Sequence, residues 1–294
     1  MELKSTNSNR TGVVLGTPPV DQFPRTMTVS RTASAATDAL PLAPVEGAKN
    51  ERIMGRLLGK SEILDVACWN VRTLLDEGSQ KITMSSLLKY GVDIACLSEV
   101  RLPNNGRQTI MVPQSDAKYH LYHSGPEDNT GQHGVAIALS DRAEAAVLAW
   151  KPVNKRICWA RFRGRFTNVT VISVYAPTSA ANDTDKDDFY TQLQQVMDEA
   201  SKRDLVIVAG DFNARAGPRT STTRALGKFG LGERCANGER LLEFAEMNRL
   251  VVSNTMFQHK RRHLLTWYSN DGRTAHQIDY ILVSARWASS VLDS

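Results

Sequence analysis

The sequence predicts an α/β (α+β) domain of two packed, mixed β-sheets flanked by helices. Three observations carry this reading. Short apolar runs rich in Val, Ile and Ala recur from Ile63 onward, the texture of buried strands. A helix-like stretch lies between the first two of these runs, giving a β-α-β start. Further helical segments are few and are set among many strands, the pattern of a layered sheet domain and not of a bundle.

Taken in order, residues 1–60 are rich in Ser, Thr, Ala and Pro, and Phe23 is their only aromatic residue. A segment of that composition buries too little apolar surface to offset the entropy of ordering, so a disordered leader is expected. The folded domain is expected to span 62–294. ILDVACWNV, from Ile63, reads as a buried strand, followed by a polar turn and a helix over Ile82 to Tyr90. DIACLSEV is the second buried strand. GVAIALS, AAVLAW, ICWARFRG and NVTVISVYAP follow as strands, several alternating like half-exposed ones. Residues Asp187 to Arg203 are apolar at Phe189, Leu193, Val196 and Met197, which is helical spacing. LVIVAGDFNA is a continuous apolar strand running into a polar loop. NGERLLEFAEMNRL reads as a helix with Asn237 as its N-cap. LVVSN, LLTWYS and QIDYILVS close the series as strands.

An apolar fraction of 41% with 23% charged residues suits a water-soluble globular chain, and no apolar run is long enough to cross a bilayer, so no membrane partner is expected. The net charge of +5 fits a polyanionic partner without requiring one. Cys68, Cys96, Cys158 and Cys235 are scattered, with no CxxC pair and no histidine at zinc-ligand spacing. This argues for free thiols in a reducing, intracellular setting.

The informative feature is where acids and amides interrupt apolar strands. Asn70 ends ILDVACWN, Glu99 follows DIACLS, Tyr175 ends VTVISV, Asp211 and Asn213 follow LVIVAG, and Asp279 sits inside QIDYILV. A carboxylate at the end of a buried strand loses hydration unless a cation or hydrogen-bond donors meet it. Strand ends converging on one sheet edge would gather these groups in a single pocket, and their oxygen ligands suit a hard cation such as magnesium. Singly, each has a plainer reading: turn residue, helix cap, or core ring with a wet tip. Their joint occurrence in order, as WN, SE, VYAP, GDFN and IDYIL, is what points to a site.

That ordered series resembles the endonuclease/exonuclease/phosphatase superfamily, in particular the apurinic-type endonuclease domains of non-LTR retroelements and craniofacial development protein 2-like host proteins. ACWNVRTL, DIACLSEVRLP, SVYAPT, GDFNARAG, NGERLLEFAEMNRLVVSNTMF and LTWYSNDGRTAHQIDYILV carry the likeness over about Ile63 to Asp293. The resemblance implies a four-layer sandwich that hydrolyses phosphodiesters of DNA with Mg2+, or with Mn2+ in its place, in a nuclear setting. It further implies that Glu99 ligates the metal with Asn70 beside it. Tyr175 and Asn213 would donate to the phosphate, Asp211 would orient or deprotonate water, and Asp279 would orient a histidine that stabilises the transition state.

That family's pattern ends in a Ser-Asp-His segment one strand beyond IDYIL, whereas YILVSARWASSVLDS after Asp279 holds no histidine. The expectation is therefore reduced activity, with a sheet edge left open where a strand is missing. His133 reads as a loop residue, His276 as a strand-entrance residue, and His259 and His263 as part of a basic surface with Lys260, Arg261 and Arg262. Arg72, Arg101 and Arg215 follow site positions closely and are candidates for phosphate contact. Trp267 and Tyr268 offer faces for stacking on a sugar or base, core packing being the other role open to Trp267.

Overall fold

The structure, a computed structural model, describes residues 25–30, 63–128, 131–269 and 271–294. Its strands are β1 (Arg25–Ser30), β2 (Ile63–Asn70), β3 (Ile94–Ser98), β4 (Asn105–Met111), β5 (Lys118–Ser124), β6 (Val135–Ser140), β7 (Val147–Asn154), β8 (Ile157–Phe162), β9 (Val169–Tyr175), β10 (Leu205–Asp211), β11 (Leu250–Val252), β12 (Trp267–Tyr268), β13 (Ala275–His276), β14 (Asp279–Ser284) and β15 (Val291–Asp293). The helices are α1 (Glu77–Lys89), α2 (Asp141–Glu144), α3 (Asp183–Glu199), α4 (Ala236–Met247) and α5 (Arg261–Leu264). One sheet has the order β15-β1-β2-β3-β6-β5-β4, the other β11-β14-β10-β9-β8-β7, and β12-β13 form a separate hairpin.

The predicted two-sheet α/β class is the observed one, and the side-chain alternation explains its four layers. Val66, Cys68, Ile94, Cys96 and Ile137 of the first sheet pack with Val171, Ile207, Ala209, Ile281 and Val283 of the second. The intervening residues face outward: Ala67, Ala95 and Leu97 lie with Met84 and Leu87 of α1. On the second sheet Ile172, Val174, Val206 and Val208 lie with Phe189, Leu193 and Val196 of α3 and Leu241, Phe244 and Ala245 of α4. Each central strand is thus covered on both faces, so it reads as a continuous apolar run. Each fully buried Leu, Ile, Val or Phe contributes about 1.5–3 kcal/mol of transfer free energy, so the site rests on a stiff platform.

Several boundaries differ from the sequence reading. α1 begins at Glu77, not Ile82, because Asp76 caps it by accepting from the Ser79 N–H at 2.8 Å, and its polar first turn carries no apolar periodicity. α3 begins at Asp183, capped by Asn182, whose side chain accepts from the Asp185 N–H at 2.7 Å. Asn237 is not an N-cap. It lies inside α4, buried, and its amide donates to the Pro177 and Asn213 carbonyls at 3.2 and 2.9 Å. β4 and β5 were not foreseen, since NGRQTIM is a polar edge strand with little apolar signal.

The leader expectation for 1–60 falls outside the described residues except at 25–30, where it is corrected. RTMTVS, a β-prone run, forms β1 and pairs antiparallel with β2 from Arg25↔Cys68 to Ser30↔Ile63. β15 pairs with β1 in turn. β1 therefore covers the edge of β2, and β15 in turn covers the outer edge of β1.

Candidate active site

Strand register assembles the site. Asp211 at the end of β10 is the register partner of Tyr175 on β9 and of Asp279 on β14, so three neighbouring strands put their polar residues in one row. Across the sandwich, Asn70 ends β2 opposite Ser98 of β3, and Glu99 follows directly. Gly210 makes the approach possible: its φ is +149°, and a Cβ there would lie 2.0 Å from the Val174 carbonyl oxygen. Only glycine lets β10 come this close to β9 immediately before Asp211.

The result is a cleft of about 340 Å³ lined by Asn70, Glu99, Tyr175, Asp211, Asn213 and Asp279, together with Cys68, Trp69, Arg72, Arg101, Thr178, Thr266, Trp267 and Ile278. At its centre the Asn70 Nδ2 donates both to Glu99 Oε1 at 2.8 Å and to Asp211 Oδ2 at 3.0 Å. One amide therefore bridges two acids that belong to different sheets. The Tyr175 hydroxyl donates to Glu99 Oε1 at 3.3 Å. Arg101 Nη2 lies 3.2 Å from Glu99 Oε2. Asp211 Oδ1 accepts from the Asn213 N–H at 2.8 Å, and the Asn213 amide donates to the Ala176 carbonyl at 2.9 Å. Asp279 is buried at the cleft wall, and its N–H and that of Ile278 donate to the Thr266 hydroxyl at 3.2 and 2.9 Å.

Burial sets the electrostatics. Asp211 is 2% exposed, and desolvation pushes its carboxyl up to about 6; the Glu99 charge adds to the rise, while the Asn213 N–H and the Asn70 amide oppose it. The Tyr175 phenol is raised well above its ordinary value, first by burial and then by Glu99 and Asp211, so it stays a hydrogen-bond donor. Its ring is bracketed by the Arg156 guanidinium, 5.2 Å from the ring centre, and by the His133 ring at 5.9 Å. Burial lowers the His133 pKa, helped by the charges of Arg156 and Lys155. Arg72, Glu99, Arg101 and Asn213 all hold positive φ, between 45° and 61°, and all line the cleft. Left-handed backbone at non-glycine residues costs free energy and tends to collect at sites.

Not every expected residue arrives. Arg215 does not line the cleft; it sits against Cys235, whose thiol burial would raise but the Arg215 and Gly238 N–H groups and the Arg215 guanidinium bring below its usual value. Trp267 is 37% exposed and stacked on His276 at 5.9 Å, so it borders the cleft instead of filling the core. Lys260, Arg261 and Arg262 lie away from the cleft around the start of α5. Sequence reasoning passed over Thr178, Thr266 and Arg156, and read Asn237 only as a helix cap. Thr178 could have been found, since it completes VYAPT; the other three act through long-range contacts.

The donor set fits a hard cation. Among the described residues no group of three His, Cys, Asp or Glu side chains could enclose a metal alone. The Glu99 and Asp211 carboxylates remain, with the Asn70 NH2 group between them, and a small divalent cation is held by one or two carboxylates when water and phosphate complete its shell.

Residues 67–294 match the Endonuclease/Exonuclease/phosphatase family. Craniofacial development protein 2 of Bos taurus is 36% identical over 226 residues, covering 77% of this chain and 37% of that protein, so the chain spans well under half the length of this relative. An AP endonuclease from Leishmania major superposes with a TM-score of 0.55 at 16% identity, covering 78% of this chain and 81% of that one. A 3′ phosphatase from Neisseria, solved with a product DNA hairpin, gives 0.52 at 17% identity over 76% and 88%. These two likenesses establish the shared fold. With its match running from residue 67 to residue 294, over three-quarters of its length, the chain belongs to the Endonuclease/Exonuclease/phosphatase family.

Proposed function

We propose that the chain is a phosphodiester hydrolase domain acting on DNA with a divalent cation, Mg2+ or alternatively Mn2+. The single observation that supports this most is the Asn70 amide spanning Glu99 and Asp211, which holds two acids of different sheets on one cleft beside two polar donors. Glu99 would hold the cation, with the Asn70 amide beside it turned so that its oxygen, which accepts from the Arg72 N–H at 3.1 Å, faces the metal. The bound cation would neutralise charge building on the phosphoryl oxygens. Asp211, with its carboxyl near 6, is poised to orient an attacking water and take its proton close to neutral pH. The Tyr175 hydroxyl, kept protonated, and the Asn213 amide would donate to non-bridging oxygens. Arg72 and Arg101 would meet flanking phosphates, and Trp267 would stack on a sugar or base.

Two further features belong to this reading. Among the described residues no histidine lines the cleft, and slow turnover is what we infer from a lining without such a transition-state donor. This same observation favours the rival reading of a non-catalytic module that binds without cutting. Descent from a mobile element, and with it a nuclear location, is suggested by the retroelement-like motifs alone, SVYAPT and GDFNARAG among them. No helix among the described residues is long and apolar enough to cross a membrane, which weighs little on a same-fold lipid or inositol phosphatase, but the basic cleft edge suits a polymer backbone better. The test is a calorimetric Mg2+ titration of the chain, Glu99→Gln and Asp211→Asn. Weak binding that both substitutions diminish is expected; binding unchanged in both would place the cation elsewhere.

A further inference from the structure

Backbone geometry folds Arg101 onto Glu99. Both residues hold left-handed backbone, φ 60° and 55°, on either side of Val100, which is fully buried. The turn is pinned by hydrogen bonds from the Arg101 N–H to the His133 carbonyl at 2.9 Å and from the Val100 N–H to the Gly134 carbonyl at 3.2 Å. Arg101 thereby meets Glu99 Oε2, while Oε1 already accepts from Asn70 and Tyr175. Both oxygens of Glu99 are thus engaged. Among the described residues no other cationic side chain lies within ion-pair distance of Glu99 or Asp211. Arg101 itself is two-fifths exposed, 41% by side chain, and borders the cleft with Arg72.

We propose that Arg101 is the resident counter-ion of Glu99, that a divalent cation displaces it, and that the released guanidinium then takes a phosphate of the bound strand. The inference rests on reading Glu99 as the cation's ligand and deepens that reading by coupling the two binding events. A guanidinium on a carboxylate oxygen competes with a metal for that oxygen's lone pairs, and two cations within the same few ångströms repel. The guanidinium therefore needs a new anion, and a phosphate oxygen pair matches its planar fork. Cation and phosphodiester would then bind cooperatively, each favouring the arrangement in which Arg101 has left Glu99.

Arg101→Asn removes the charge and suits the site, since Asn tolerates left-handed backbone better than most residues; Arg101→Lys keeps the charge. Mg2+ titrations by calorimetry, without nucleic acid and at fixed ionic strength, should show Arg101→Asn binding Mg2+ about three- to fivefold tighter and Arg101→Lys within about twofold of the parent, the scale of a partly exposed ion pair. Anisotropy of a short labelled DNA duplex should show a smaller Mg2+-induced gain in affinity for Arg101→Asn than for the parent. If Glu99→Gln leaves Mg2+ binding unchanged, the ligand reading fails. If Glu99→Gln weakens Mg2+ binding and Arg101→Asn binds Mg2+ no tighter, the displacement fails while the ligand reading stands. A duplex gain undiminished in Arg101→Asn overturns the transfer to phosphate.

Discussion

Asp211→Asn should stabilise the metal-free protein at alkaline pH while removing its chemistry. Asp211 is 2% exposed, and its carboxyl is raised from 3.8 to about 6, mainly by burial. The sign follows from proton counting. Between these two values the folded chain keeps a proton that the unfolded chain has released, so stability falls as pH rises through this window. Two units correspond to about 3 kcal/mol lost above the folded pKa. The Asn side chain stays neutral and escapes that cost. However, one of its two polar atoms becomes a donor, so it cannot accept from both the Asn70 amide and the Asn213 N–H as Asp211 does. Losing one such bond costs about 1 kcal/mol. The expected result, in urea unfolding with a chelator present, is a variant slightly less stable than the parent near pH 4 and about 2 kcal/mol more stable near pH 8. A stability difference that does not change with pH across this range would refute the claim that burial holds Asp211 at a raised pKa.

Other substitutions probe separate parts of the site. Tyr175→Phe removes the hydroxyl that reaches Glu99 and should cut turnover about a hundredfold relative to a parent of the same length, with stability changed by less than about 1 kcal/mol; steady-state rates and a thermal melt check both. Gly210→Ala would drive a methyl group into the Val174 carbonyl and should destabilise by about 3 kcal/mol in urea unfolding, displacing Asp211 with it.

The fold was legible where the physics of burial was strong. β2, β3, β9, β10 and β14 lie under cover on both faces and announce themselves as apolar runs. β4 did not, because an edge strand needs no apolar run, and β1 did not, because its short run lies within a polar leader. Helix starts were missed where a side-chain cap, Asp76 or Asn182, sets the boundary ahead of the first apolar residue. The cleft was legible for a related reason: Asn70, Tyr175, Asp211 and Asp279 are polar residues at strand positions where apolar ones are expected, and register then aligns them. Arg156 bracketing Tyr175, and Arg215 turning away toward Cys235, depend on contacts between segments distant in sequence, which no local pattern encodes.

The proposal to be tested is that this cleft hydrolyses phosphodiesters through Glu99 and that a Ser-Asp-His segment would add the transition-state donor that the described lining does not include. The direct measurement is nicking of supercoiled plasmid in Mg2+ by the chain, by a version extended through a Ser-Asp-His segment, and by Glu99→Ala in each. The account predicts nicking by the extended chain that Glu99→Ala abolishes, and nicking by the 294-residue chain slower by about two to three orders of magnitude. Robust nicking by the 294-residue chain that disappears with Glu99→Ala would contradict the missing-donor claim, and extended-chain nicking that survives Glu99→Ala would contradict the assignment of the site.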